Sequence, residues 1–315
     1  MKKIGLFFFL IVSLMKVHAQ NDSLYIESFD SLQTENLDTI LSMENQTIIE
    51  DSIVKKSNLW TNFKSDAHLI GGSFINGFTQ PTRWQKDDYI KAGVTVAGIS
   101  MLYLADEPLS DFFRKQEDHV PHGIRKAGWV FGRPEASYGL TSGIYLYGLF
   151  TNNEKVRETG VLLISSAAIS GVLQQVTKTV VGRGRPHLDK GHNQFKLFKG
   201  GDDYGSFPSG HSILSTTVIY GLSKQFSNPW VKAGFYTVGL LTPVSRLWAG
   251  AHWFTDVSLS VVTSIAIVEG VDSFLKKKKN KALIYKDVDE DLIPKQKIKW
   301  TLNAGPSSIG IIGVF

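Results

Sequence analysis

Long apolar runs at helical spacing, broken by short polar stretches, fill most of this chain, and the two-residue alternation of a half-buried strand is nearly absent. From Asp87 to Asp106 the apolar positions Tyr89, Ile90, Val94, Val96, Ile99, Met101, Leu102 and Leu104 suit a buried helix. Asp106-Glu107-Pro108 reads as its end, since a residue before proline resists the helical region. Five further segments carry the same period: Ala136 to Phe150, Glu154 to Val181, Ser212 to Gln225, Val231 to Trp248 and His252 to Leu275. A polar stretch with Lys115, Asp118 and Arg125 connects the first two. The pattern predicts an all-α fold, a bundle of about six core helices, with no strand between Ser57 and Lys279. Near the C-terminal end the period changes. Ile298, Trp300, Leu302 and Ala304 alternate with Lys297, Lys299, Thr301 and Asn303, and Gly305-Pro306 turns the chain toward Ile309 to Phe315. That predicts a small C-terminal β-hairpin; two strands cannot close a barrel.

The N-terminal end is different again. Lys2 and Lys3, the apolar run Ile4 to Met15 and Val17-His18-Ala19 read as a signal peptide over residues 1–19, too short to span a bilayer. Residues 20–60 form an acidic, largely disordered leader: eight acids and no Lys or Arg between Gln20 and Val54. A helical domain over 61–280 and a tail over 281–315 complete the division. Hydrophobic residues make up 43% of the 315 and charged ones 20%, apolar for a soluble protein and enough for a sizeable core. The net charge is +5, concentrated in places such as Lys276 to Lys279, with no pattern that calls for nucleic acid. With no cysteine, disulfides, thiolate metal sites and thioester lipid anchors are excluded.

Three short stretches bear chemistry. Gly205-Ser206-Phe207-Pro208-Ser209-Gly210-His211 stands directly ahead of a periodic run. Ser209 is a good N-cap, Gly210 lets a ligand approach, and a helix beginning here points free N–H groups at an anion, with His211 in the first turn as a proton carrier. Upstream, Lys178 and Arg185 are seven residues apart and share a face if the helix persists, offering a point charge and a planar fork. Basic residues also decorate helix C-termini for reasons of the dipole alone. Downstream, His252 and Asp256 are four apart and would stack on a helix, the carboxylate fixing the imidazole tautomer and freeing the other nitrogen as a nucleophile. Arg246, just before them, is a third cation. His187 and His192 lie close enough in sequence to line the mouth of such a site, while His68, His119 and His122 read as surface or loop residues.

Taken in order, these residues resemble the type 2 phosphatidic acid phosphatase superfamily, which also contains bacterial class A acid phosphatases and vanadium-dependent haloperoxidases. Its signature is Lys, six residues, Arg-Pro; then Pro-Ser-Gly-His; then Ser-Arg, five residues, His, three residues, Asp. Lys178, Arg185, Pro186, Pro208, Ser209, Gly210, His211, Ser245, Arg246, His252 and Asp256 fill every specified position. The resemblance covers about 87–275 and leaves out the leader and the tail. It implies that His252 attacks phosphorus to form a phosphohistidine, that Asp256 orients it, and that His211 protonates the leaving oxygen and then activates water. Lys178, Arg185, Arg246 and the N–H groups around Ser209 and Gly210 would hold the phosphoryl oxygens. Protein cations do the neutralising, so the expectation is no metal and no other cofactor.

The expected function is therefore a metal-independent phosphatase of phosphate monoesters or pyrophosphates, with lipid phosphates favoured and no nucleic-acid partner. A haloperoxidase-like oxidoreductase holding vanadate in the same anion site is the alternative, for which a helical core of about 190 residues is compact. A catalytically dead module is disfavoured because no catalytic position is substituted. Location is less direct. If an exported chain crossed a bilayer with every helix, Lys276 to Lys279 would end outside, against the positive-inside tendency. Ser165, Ser166, Ser170, Gln174 and Gln175 also make one helix polar for lipid. The expectation is an exported protein, periplasmic or associated with the cell-envelope membrane, with an extracytoplasmic site in a bundle that is soluble or only peripherally embedded; the membrane-spanning form found in the family is the alternative.

Overall fold

The computed structural model describes residues 58–199, 201–286, 299–305 and 308–314. The expected signal peptide, almost all of the expected leader and residues 287–298 of the tail lie outside them.

Helices build the fold. Among the described residues they are α1 (Leu59–Thr79), α2 (Lys86–Tyr103), α3 (Asp106–Gln116), α4 (His122–Phe131), α5 (Pro134–Phe150), α6 (Glu154–Val181), α7 (Gly210–Ser223), α8 (Pro229–Gly239), α9 (Leu241–Trp248) and α10 (Phe254–Lys286). The expected count of about six is too low, for three physical reasons. Weak helix formers, Gly71, Gly72 and Gly77 among them, hide α1; tertiary packing carries it, with Phe74 set against Leu162, Ile169, Val268 and Val271. The polar connection folds into α3 and α4. Pro108, read as a stop, sits in the first turn of α3, where its missing N–H costs nothing. The segment Val231 to Trp248 breaks at Leu240 into α8 and α9. No strand lies within 59–286. In the tail, the backbone of β1 (Lys299–Gly305) pairs antiparallel with β2 (Ser308–Val314), Lys299 opposite Val314. That is a backbone pairing only; the fold is the helical bundle.

The core sits around α6. Its Leu162 and Ile169 meet Val268 and Val271 of α10, and Val161 meets Tyr145 and Leu149 of α5. Where α6, α7 and α10 pack together the contacts are small hydroxyls: Ser165, Ser166, Ser170, Ser212, Ser215, Thr217, Ser260 and Ser264 are all fully buried. Ser170 pairs with Thr217 at 3.1 Å, and Ser264 Oγ donates to the Ile213 carbonyl at 2.9 Å. Small side chains allow close helix approach; Ser165 Oγ and Ser166 Oγ are buried there with no partner among the described residues. Thus the three serines of α6 face inward and say nothing against lipid on the other side. Its outer face carries Val172, Val176 and Val180.

α2 overturns a second expectation. It has no buried residue at all; Tyr89, Val94, Val96, Met101 and the following Leu104 are 60–80% exposed. An apolar helix turned outward is a surface for lipid or a partner.

Candidate active site

Four chain segments meet at one end of the bundle: the end of α6, the start of α7, the end of α9 and the start of α10. α6 stops because Gly182 takes the left-handed conformation (φ 56°) and returns its N–H to the Lys178 carbonyl. A Cβ there would overlap the Lys196 carbonyl, whose residue's N–H donates to Gly182 O at 2.8 Å. Lys178 and Arg185 therefore do not share a helical face, as the sequence suggested. Arg185 lies beyond the helix in extended backbone (φ −81°, ψ 153°), and the glycine turn, not helical periodicity, folds it back. Its Nε donates to the Asp202 carbonyl and its Nη1 to the Ala251 carbonyl at 2.9 Å. The Lys178 ammonium has no hydrogen bond or ion pair among the described residues.

Arg246, in the last turn of α9, is 1% exposed. Its guanidinium lies 3.7 Å over the Trp129 ring, and Nη2 donates to the Gly128 carbonyl at 3.2 Å. Its Nε and Nη1 are buried with no partner among the described residues. The same Trp129 ring lies 5.8 Å from the His211 ring, so His211 and Arg246 stand on either side of one indole. Gly132 packs against His211 so closely that a Cβ would collide with it. Arg133 follows, exposed, as a fourth cation that the sequence reading missed; nothing in its local pattern set it apart.

The start of α7 corrects another expectation. Ser209 occupies the N-cap position, but its Oγ pairs with Ser212 Oγ at 2.8 Å and its N–H donates to Ser260 Oγ at 2.9 Å. Neither group of Ser209 is free for a phosphate. The donors left without an intrahelical partner are the N–H groups of Gly210, His211 and Ser212.

His252 departs from expectation as well. α10 begins at Phe254, so His252 precedes the helix and cannot stack on Asp256. Two features force this: Gly250 turns in the left-handed region (φ 56°), and Asp256 reaches back to accept the Trp253 N–H at 3.0 Å, capping its own helix. His252 is 2% exposed, and its Nδ1 bonds the Ser206 backbone carbonyl instead. Since a carbonyl only accepts, Nδ1 carries the proton and Nε2 keeps its lone pair. Asp256 is held by Arg183 Nη1 at 2.6 Å and by Ser206 Oγ. Arg183, 2% exposed, and the fully buried Asp106, which accepts from Arg183 Nη2 at 2.7 Å, are further residues the sequence reading passed over. Of the two histidines near the mouth, His192 is tied to Glu107 at 2.8 Å and to the Tyr103 ring. His187 is fixed by its backbone, whose N–H donates to Gly250 O.

The electrostatics show that these side chains converge. Burial, with Arg246, Lys178, Arg185 and Arg133 nearby, pushes His211 down to about 4. Burial, then Arg185 and Lys178, holds His252 well below the ordinary imidazole value, against the opposing bond to Ser206. Both rings are therefore neutral at pH 7. Burial, then Arg185 and Arg133, also draws Arg246 down to about 9, still charged at pH 7. On the Arg183 side opens a cleft of about 420 Å³ lined by Ile99, Tyr103, Val181, Arg183, Phe195, Phe207 and Thr255 among others.

Residues 159–279 match the PAP2 superfamily. The lipid A 1-phosphatase of Rhizobium etli is 28% identical over 192 residues, 56% of this chain and 78% of that protein. The lipid A 1-phosphatase of Rhizobium johnstonii is 32% identical over 193 residues, 56% of this chain and 75% of that protein. Among solved structures, a transmembrane PAP2-type phosphatidylglycerolphosphate phosphatase from Bacillus subtilis aligns with a TM-score of 0.46 at 20% identity, over 60% of this chain and 94% of that one. A likeness that runs through most of a relative's length, and includes every position of the phosphate signature, makes this chain a member of the PAP2 superfamily and a phosphate ester hydrolase.

Proposed function

We propose that the protein hydrolyses lipid phosphates, monoesters or diphosphates, through a phosphohistidine on His252, at the extracytoplasmic face of a membrane. The observation that carries the chemistry is Arg246. A buried guanidinium with two unpaired nitrogens, beside a lysine ammonium without a partner among the described residues and two histidines held neutral, has the donors and charge that an anion requires. Lys178, Arg185 and Arg246 hold the phosphoryl oxygens, with the N–H groups at the start of α7. The bound dianion offsets the cations that depress His211, which then takes up a proton. The Nε2 lone pair of His252 forms the N–P bond while the P–O bond to the leaving group breaks and His211 protonates that oxygen. Neutral His211 next removes a proton from water, which attacks phosphorus and releases inorganic phosphate and free His252. Protein cations supply the neutralisation, so the reading is metal-independent.

Lipid is favoured by the outward apolar face of α2, whose Ile99 and Tyr103 also line a largely apolar cleft on the Arg183 side. α6 and α10 are long and apolar enough to cross a membrane. Asp256 lies at the site, and Lys276 to Lys279 lie twenty residues further along the same helix, about 30 Å away at 1.5 Å per residue. That is about one hydrocarbon thickness. With the lysines on the cytoplasmic side, the site faces out.

The test is phosphate release by purified protein in detergent from lipid monophosphates and diphosphates, with EDTA present. Activity should persist under chelation, and His252→Ala should lose roughly 10⁴-fold or more while keeping its helical circular dichroism. His211→Ala should lose less on aryl phosphates, whose leaving groups need little protonation. Undiminished turnover in His252→Ala, or a loss on chelation restored by a divalent metal, overturns the reading.

A further inference from the structure

We infer that Arg183 is a positioning residue that sets the tautomer and aim of His252 through Asp256 and the Ser206 peptide. The inference rests on the reading of His252 as the nucleophile. An arginine at 2% exposure is held by its partners or not at all. Arg183 spreads its fork between two carboxylates from two helix starts, Asp256 of α10 at 2.6 Å and Asp106 of α3 at 2.7 Å. Its Nη1 also donates to Thr255 Oγ1 at 2.9 Å. Thr255 is fastened to Asp106 in turn, its N–H at 2.9 Å and its hydroxyl at 2.6 Å. The rings of Tyr103 and Trp253 lie 4.8 and 5.5 Å from the guanidinium carbon. The start of α10 is thereby clamped to α3.

Ser206 transmits this to the histidine. It is fully buried and tied at three points. Its N–H donates to the Arg183 carbonyl at 3.0 Å, its hydroxyl to Asp256, and its carbonyl accepts the Nδ1–H of His252. Two of the three ties lead to Arg183, one through its backbone and one through the carboxylate it holds. A backbone carbonyl cannot accept from a bare Nδ1, so its placement dictates which imidazole nitrogen is left to attack. Asp256 acts on His252 only through this peptide. The guanidinium nitrogens of Arg183 are taken up by the His192 carbonyl, Asp256 and Asp106, which leaves it a positioning role and not that of a phosphate ligand.

The experiment compares Arg183→Lys, which keeps a charge but cannot bridge two carboxylates, and Ser206→Ala, which keeps the carbonyl but drops the tie to Asp256. With purified protein in detergent and an aryl phosphate, Arg183→Lys should lower kcat about 10- to 100-fold with KM within about 2-fold, as for groups that orient a reacting ligand from behind. Ser206→Ala should lose less, and the double variant should lose less than the product of the two. In ¹⁵N-histidine spectra the wild-type His252 ring should show a protonated Nδ1 and a bare Nε2, and Arg183→Lys should show a mixture of tautomers. An unchanged ring spectrum in Arg183→Lys, or an effect confined to KM, overturns the inference even if His252 is the nucleophile. A mixed-tautomer spectrum from Arg183→Lys, in a protein that never forms phosphohistidine, upholds the inference and overturns the proposed function.

Discussion

At the scale of the residue, His211 and His252 are both stabilised as neutral rings, by burial first and by Lys178, Arg185 and, for His211, Arg246 as well. Their folded values lie below the unfolded value of about 6.5, so the unfolded chain binds more protons once pH falls below that point. The stability they permit is complete above about pH 6.5 and is lost as pH drops toward the folded value of about 4 for His211. Thermal melts at pH 7.5, 6.0 and 5.0 should show a falling Tm. His211→Gln should flatten that fall, and inorganic phosphate should offset it by neutralising the cations. A Tm that stays level from pH 7.5 to 5.0 contradicts this electrostatic account. Lys178, Arg185, His211, Arg246 and His252 could be proposed from the sequence because they stand at the positions of the superfamily's signature. Arg183 was not, because it reads as one more basic residue at a helix end. Its meaning comes from Asp106 and Asp256, 77 and 73 residues away, a pairing no local pattern reveals.

At the scale of the element, periodicity found the long helices and misjudged their ends. α6 was readable across its whole length, yet the link from Lys178 to Arg185 depends on a left-handed glycine that period arguments ignore. His252 and Asp256 have the spacing of a helical pair, and the spacing misled because the acid caps the helix instead of lying along it with the histidine. Gly182 supplies a prediction here. Gly182→Ala places a Cβ at positive φ and against the Lys196 carbonyl, so it should cost more than the ~1 kcal/mol expected for alanine in that conformation alone. Because the same turn aims Arg185, KM for an aryl phosphate should rise as well. Chemical denaturation and steady-state kinetics on the one variant test both effects. A variant with unchanged midpoint and KM would mean that the turn does not set the position of Arg185.

At the scale of the whole molecule, hydropathy alone pointed to a peripheral bundle, since it counted the serines of α6 as though they faced lipid. In the folded chain they face α7 and α10, and the outward surfaces are Val172, Val176 and Val180 of α6 and most of α2. The direction of α10 then orients the molecule. Its first turn carries Asp256 at the site and its far end carries Lys276 to Lys279, with Lys279 paired to Glu158 at 2.6 Å near the start of α6. Both long helices thus have one end at the site and the other at the lysines, and the proposed orientation puts the lysine end in the cytoplasm by the positive-inside tendency. A chain without cysteine permits a direct test. In spheroplasts, an impermeant maleimide should label Lys190→Cys, in the loop after Arg185, without permeabilisation. Asn280→Cys, at the lysine end, should label only once the membrane is opened. Labelling of both in intact spheroplasts would mean an exported peripheral bundle; labelling of position 280 alone would turn the molecule over and put hydrolysis in the cytoplasm.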